Sequence, residues 1–164
     1  MNEEFNDIIN SLINNEKVKE MKNYRQHCNT SCYDHSYSVA YLTYKISKKL
    51  NLDYVSATRG AMLHDLFLYD WRKSKRFNFH AFKHGKIAYL NAKKEFDLND
   101  IESDMIIKHM WPITIKPPKY KEGFVLTIAD KVCASKEILN AFVVFLNDNP
   151  VVRYAYLFYV FVIF

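Results

Sequence analysis

The apolar positions of this chain recur mostly at intervals of three and four residues, the spacing that lines one face of an α-helix. From Glu3 to about Lys22, Phe5, Ile8, Ile9, Leu12 and Ile13 follow that rhythm, and the opening acids suit the positive end of a helix dipole. Gln26 to Thr30 is a polar break. A second helix is predicted from about Tyr33 to Leu50, with Val39, Leu42, Ile46 and Leu50 on its core stripe. Asp53 is placed to cap a third, Tyr54 to about Leu68, whose Ser56, Ala57, Gly60 and Ala61 let a neighbour pack closely. A fourth runs from near Ala81 through Ile87, Leu90 and Phe96. Asn99 or Asp100 caps a fifth, which must end before Pro112 because proline disfavours helix in the residue ahead of it. Trp111 to Tyr120 reads as a loop, and a long sixth helix spans about Glu122 to Asn147.

The pattern fails in one place. The final residues, Val151 to Phe164, are almost wholly apolar and aromatic, with Arg153 their only charge. They fall short of the roughly 20 residues of an untilted membrane span, so no span is expected. A buried closing helix, a homodimer contact and an interfacial anchor all fit the composition.

With 164 residues, the chain is expected to form one domain with a substantial core. Only 3 glycines and 4 prolines supply turns, too few for a sheet-rich fold, so the expected class is all-α. The opening Met1-Asn2-Glu3-Glu4 has none of the features of a secretory leader, and 3 cysteines are an odd number. Reduced thiols and a cytoplasmic location are the expectation. Cys28 and Cys32, beside His27 and His35, lack a second ligand pair at zinc-finger spacing. The net charge of +5 suits an anionic partner, but the lysines are scattered over several helices and no nucleic-acid-binding motif is present. One cluster stands out, Arg72-Lys73-Ser74-Lys75-Arg76. Its Lys73, Lys75 and Arg76 are candidate phosphate contacts.

The chemistry is concentrated in Ala61-Met62-Leu63-His64-Asp65-Leu66-Phe67, where an imidazole and a carboxylate interrupt an apolar run. Burying the two unpaired costs several kcal/mol, on the order of a lost hydrogen bond or more for each. A divalent metal would satisfy both, as would a hydrogen-bonded His-Asp pair at a helix end. The other histidines favour the metal. His35 lies upstream, His80, His84 and His109 lie downstream, and Asp130 breaks a second apolar run, Thr127-Ile128-Ala129-Asp130-Lys131.

The order His, His-Asp, His, His, Asp resembles the HD-domain superfamily of metal-dependent phosphohydrolases, in its small single-domain bacterial form. The likeness runs through residues 33–135. It implies a helical bundle of about six or seven helices in a single domain over residues 1–164, with 150–164 a segment of undecided structure. It further implies that His35, His64, Asp65 and Asp130 hold one metal, and that Asp65 bridges to a second held by His84 and His109. Two ions are expected, iron or manganese ahead of zinc, nickel, cobalt or magnesium because imidazoles dominate the ligand set.

The reaction implied is hydrolysis of a phosphomonoester or phosphodiester by metal-activated water, the substrate being a small phosphorylated molecule, most naturally a nucleotide. Nearness in sequence makes His80 and Asp70 the candidate proton donors. Leu66-Phe67 replaces the commonest Ile-Gly after the His-Asp pair, and the Gly-Tyr-Pro of cyclic-dinucleotide phosphodiesterases is missing. His84-Gly85, His109 and Ala129-Asp130-Lys131 are more similar to small bacterial HD proteins that cleave dinucleoside polyphosphates. Two competing functions share the motif, a binuclear-iron oxygenase and a non-catalytic regulatory protein.

Overall fold

A computed structural model describes residues 2–72, 80–154 and 156, and the described residues form an all-α bundle. In chain order the helices are α1 (Glu3–Ile13), α2 (Glu16–Glu20), α3 (Cys32–Lys49), α4 (Tyr54–Leu63), α5 (His80–Glu95), α6 (Asp100–Lys108) and α7 (Lys121–Asp148). The expected first helix is two, because Asn14 and Asn15 intervene and the Asn15 side chain caps α2 through the Lys17 N–H. A 3-10 turn, Met21–Asn23, follows.

The start of each remaining helix has a local cause. Ser31 Oγ accepts the Asp34 N–H to cap α3, and Asp53 accepts the Ser56 N–H to cap α4. Asn99 and Glu102 form a reciprocal capping box on α6. The α4 helix stops at Leu63, so His64 and Asp65 lie just beyond it rather than inside a helix reaching Leu68. The Ala61 carbonyl, which a continuing helix would offer to the Asp65 N–H, instead accepts the His64 Nδ1–H at 2.7 Å. The chain then turns tightly, with the Phe67 N–H on the Asp65 carbonyl and Leu68 at φ 50°.

The core sits where α1, α3, α4 and α6 meet, around Phe5, Leu12, Tyr44, Met62, Leu63 and Met105. Helices α3 and α4 make the most extensive contact, and α7 packs mainly on α3. The buried face of α3 is rotated from the expected stripe: Ser36, Val39, Ala40, Thr43 and Ser47 are buried, while Leu50 is exposed. Small side chains there allow the close approach of α4. Gly60 does the same on α4, where an added Cβ would sit 3.3 Å from Met105 Sδ. No helix among the described residues is long and apolar enough to cross a membrane. Past Ser135, α7 carries exposed Ile138, Leu139, Phe142, Val143, Val144 and Phe145.

Candidate metal centre

Four helices and one helix exit deliver six metal-capable side chains to a single buried locus. His35 comes from the first turn of α3, His64 and Asp65 from the exit of α4, His84 from α5, His109 from the end of α6 and Asp130 from α7. The four histidines and Asp65 are buried, and the Asp130 side chain is 14% exposed.

The histidine tautomers follow from their partners. His64 and His109 each cap a helix end and each give Nδ1–H to the carbonyl three residues back, Ala61 O and Ile106 O. That leaves both Nε2 atoms as lone-pair donors aimed inward. His35 Nδ1–H donates instead to Glu137 Oε1 at 2.9 Å, and its Nε2 faces Asp130 Oδ1 at 3.0 Å. His84 Nε2 lies 2.8 Å from His109 Nε2 and 3.3 Å from Asp65 Oδ1. The approach of α5 to α6 that this requires depends on Gly85, where a Cβ would stand 2.9 Å from the Ile107 carbonyl. Asp65 Oδ2 accepts from Gln26 Nε2 at 2.5 Å and lies 3.3 Å from His64 Nε2 and 4.0 Å from His35 Nε2.

Among the six side chains two atoms are buried and make no hydrogen bond, His64 Nε2 and Asp65 Oδ1. An orphaned imidazole nitrogen beside an orphaned carboxylate oxygen is costly in a protein interior unless a cation lies between them. The donors of His35, His64 and Asp130 lie within 4.8 Å of one another, as do those of His64, Asp65 and His109. Imidazoles with carboxylates are the donor set of divalent transition metals, so the residues fit such ions.

Protonation in the metal-free protein follows from the same contacts. Burial works against charge on His35, but its hydrogen bonds to Asp130 and Glu137 prevail and raise it to about 10. It is therefore an imidazolium clamped by two carboxylates. Burial pushes His109 the other way, with help from His84 and His64, to about 3. Burial alone would raise Asp65, yet the neighbouring His64 and His84 hold its carboxyl well below the usual range. Asp130, also desolvated, is lowered to about 2 chiefly by its bond to His35.

A cleft of about 330 Å³ opens onto the locus. Gln26, His27, Asp65, His84, His109 and Asp130 line its polar side, and Trp71, Met110 and Ile113 its apolar side. Lys131 stands on its wall with Nζ donating to the Trp111 carbonyl at 3.0 Å.

The six expected ligands thus come together. Asp70 accepts the Arg72 N–H in the exit turn and is not among the described residues that line the cleft. Lys73, Lys75 and Arg76 lie outside the described residues, as does the His80 side chain, whose backbone begins α5. Asp130 is shielded although its apolar neighbours along α7, Ile128 and Val132, point outward. Both are more than half exposed, while the carboxylate turns inward onto His35 Nε2. Cys28 is exposed, whereas Cys32 is buried with its thiol on the Asp65 carbonyl at 3.1 Å.

Sequence reasoning missed Gln26, His27 and Glu137. His27 packs edge-on against His35, with ring centroids 5.1 Å apart. Gln26 sits in a polar loop with no periodicity to mark it. Glu137 does carry a signal, since it follows Asp130 by two helical turns and must share its face.

No curated protein and no solved structure matches the chain. The family model described as HD domain matches residues 32–135, the stretch that carries all six of these side chains. That match covers more than half of the 164 residues, and the chain belongs to the HD-domain superfamily, whose members are for the most part metal-dependent hydrolases.

Proposed function

We propose that this chain is a metal-dependent phosphohydrolase that cleaves a phosphomonoester or phosphodiester, with nucleotides as the substrate class. The observation that carries the reading is the pair of orphaned buried donors, His64 Nε2 and Asp65 Oδ1, of which Asp65 lines a cleft of about 330 Å³ together with His84, His109 and Asp130. His35, His64, Asp65 and Asp130 would hold one ion, and Asp65, His84 and His109 a second, iron or manganese being the best match to the imidazole-rich set. Two such ions would acidify a water towards neutral pH and draw charge from the phosphoryl group.

The chain's own residues provide the setting. Gln26 holds Asp65 by one carboxylate oxygen, so the other faces His84 and His109. Lys131, tethered by the Trp111 and Thr127 carbonyls, presents a cation to an anionic group entering the cleft. Trp71, Met110 and Ile113 offer an apolar wall suited to a base or another flat, poorly hydrated moiety. Lys73, Lys75 and Arg76, which follow Trp71 in sequence, are further candidates for phosphate contacts. His80 and Asp70 remain the candidate proton donors. The domain is proposed to occupy residues 1–164.

Metal content measured by mass spectrometry on chelator-free protein tests the reading. About two ions per chain, falling to about one in both His84→Ala and His109→Ala, is the expected result. A nucleotide screen with the loaded protein should then show hydrolysis. Metal-free protein, or loaded protein that turns over no phosphoester, overturns it.

A further inference from the structure

Three of the four ligand histidines, His35, His64 and His109, each place the Nδ1 proton on an oxygen so that Nε2 faces the centre. Two solve this with backbone, because they cap helix ends where a carbonyl is released from the ladder. His35 cannot. It lies in the first turn of α3, where the carbonyl four residues back, Ser31 O, already accepts the His35 backbone N–H. Its Nδ1–H meets Glu137 Oε1 instead, at 2.9 Å, with the Glu137 side chain 13% exposed. Asp130 and Glu137 are seven residues apart on α7, two turns along one face. The same helix therefore grips both ends of one imidazole, by a ligand at Nε2 and a non-ligand at Nδ1.

We infer that Glu137 is a positioning residue, which fixes the His35 tautomer and tightens the ion held by His35, His64, Asp65 and Asp130. This rests on the metal-holding reading above. A carboxylate behind an imidazole strengthens it as a donor more than a peptide carbonyl does, because a full negative charge offsets charge drawn towards the metal. His64 and His109 have only the carbonyl. Glu137 thereby adds an outer carboxylate to the ion that already has the larger ligand set, His35, His64, Asp65 and Asp130. The remaining Glu137 oxygen, Oε2, is buried without a hydrogen-bond partner. The donors of Glu137, His27 and His35 lie within 4.8 Å of one another, so the test separates the positioning role from direct ligation of a third ion.

The test is calorimetric titration of the chelator-treated full chain with Mn²⁺ alone, for wild type, Glu137→Ala and Glu137→Gln. The expected wild-type isotherm has two phases of one ion each. In Glu137→Ala the tighter phase weakens by about 10- to 100-fold while the weaker phase stays in place. Glu137→Gln, which keeps an acceptor oxygen at the same reach, recovers a large part of that loss. Unchanged phases in Glu137→Ala overturn the assignment, and so does equal weakening of both phases in both variants, the mark of damaged packing. A third Mn²⁺ in wild type, lost in either variant, makes Glu137 a ligand and also overturns it. No Mn²⁺ uptake by wild type refutes the metal reading itself, an outcome separate from the others.

Discussion

The two ends of α7 are made of the same kind of residue and meet different fates. Between Lys121 and Ala134, Leu126 and Ala129 are completely buried, and Thr127 gives its hydroxyl hydrogen to the Gly123 carbonyl, with the His109 carbonyl beside it. Past Ser135 the helix is richer in large apolar side chains, yet Leu139 is 62% exposed and Val143 53%. The more apolar half is the more exposed one, so hydrophobicity along the helix does not decide burial. The first half packs on α3 and α6, and past the bond of Glu137 to His35 most large apolar side chains of α7 are exposed. Glu137 marks the border, the last side chain of α7 that reaches the metal centre.

The largest expected effect would sharpen this contrast directly. Leu126→Ala should lower unfolding free energy by about 2–5 kcal/mol, since it opens a cavity in a fully packed site. Leu139→Ala should change it by no more than about 0.5 kcal/mol, as for an exposed position. Denaturant melts of both variants check the pair. A comparable loss at Leu139 would break the comparison and show that the distal half is covered in solution.

A smaller loss is expected within the packed region, at Gly85. Its added methyl would meet two backbone carbonyls, those of Ile106 and Ile107, which cannot swing aside as a side chain could. Gly85→Ala should cost about 1–3 kcal/mol and also weaken uptake of the ion assigned to His84 and His109. Stability and metal content together distinguish this from a purely local strain, which would move the first alone.

The smallest readout is a count of protons at the border of the two halves. His35 is raised to about 10 from an ordinary 6.5. Its share of the metal-free protein's stability is therefore fully present below about 6.5 and is lost as the pH climbs towards 10. Ion binding must expel the Nε2 proton while Nδ1–H stays on Glu137. At pH 8, Mn²⁺ uptake should release about one proton for the His35 ion, read from calorimetry in buffers of different ionisation enthalpy. Release of no proton would mean that His35 is neutral before the ion arrives.

Much of the bundle was legible from spacing alone. The α3, α5, α6 and α7 helices begin and end within a few residues of where apolar periodicity, Asn99 and Pro112 place them. Among the six expected ligands, His64, Asp65 and Asp130 stood out as polar residues inside apolar runs, whereas His35, His84 and His109 were singled out by the resemblance to HD-domain proteins. The break between α1 and α2 was not legible, since Ile13 and Val18 continue an acceptable stripe across Asn14 and Asn15. Nor was the end of α4 at Leu63, which follows from His64 taking the Ala61 carbonyl, a choice made by a side chain that the centre has already oriented. Glu137 sits in Ala134-Ser135-Lys136-Glu137, which reads as solvated surface until α3 is laid against it.

The sequence by itself therefore determined the helical class, most helix boundaries and the identity of residues unfit for an apolar interior. These are local matters, settled over one or two turns by the helix repeat and by capping groups. Only the tertiary structure decided which of those residues meet, which apolar face is covered and which carboxylate backs His35. His35 is 95 residues from Asp130 and 102 from Glu137, and no periodicity extends across such a separation. Their meeting depends on how α3 and α7 pack, because burial and tautomer are properties of the neighbours a side chain acquires.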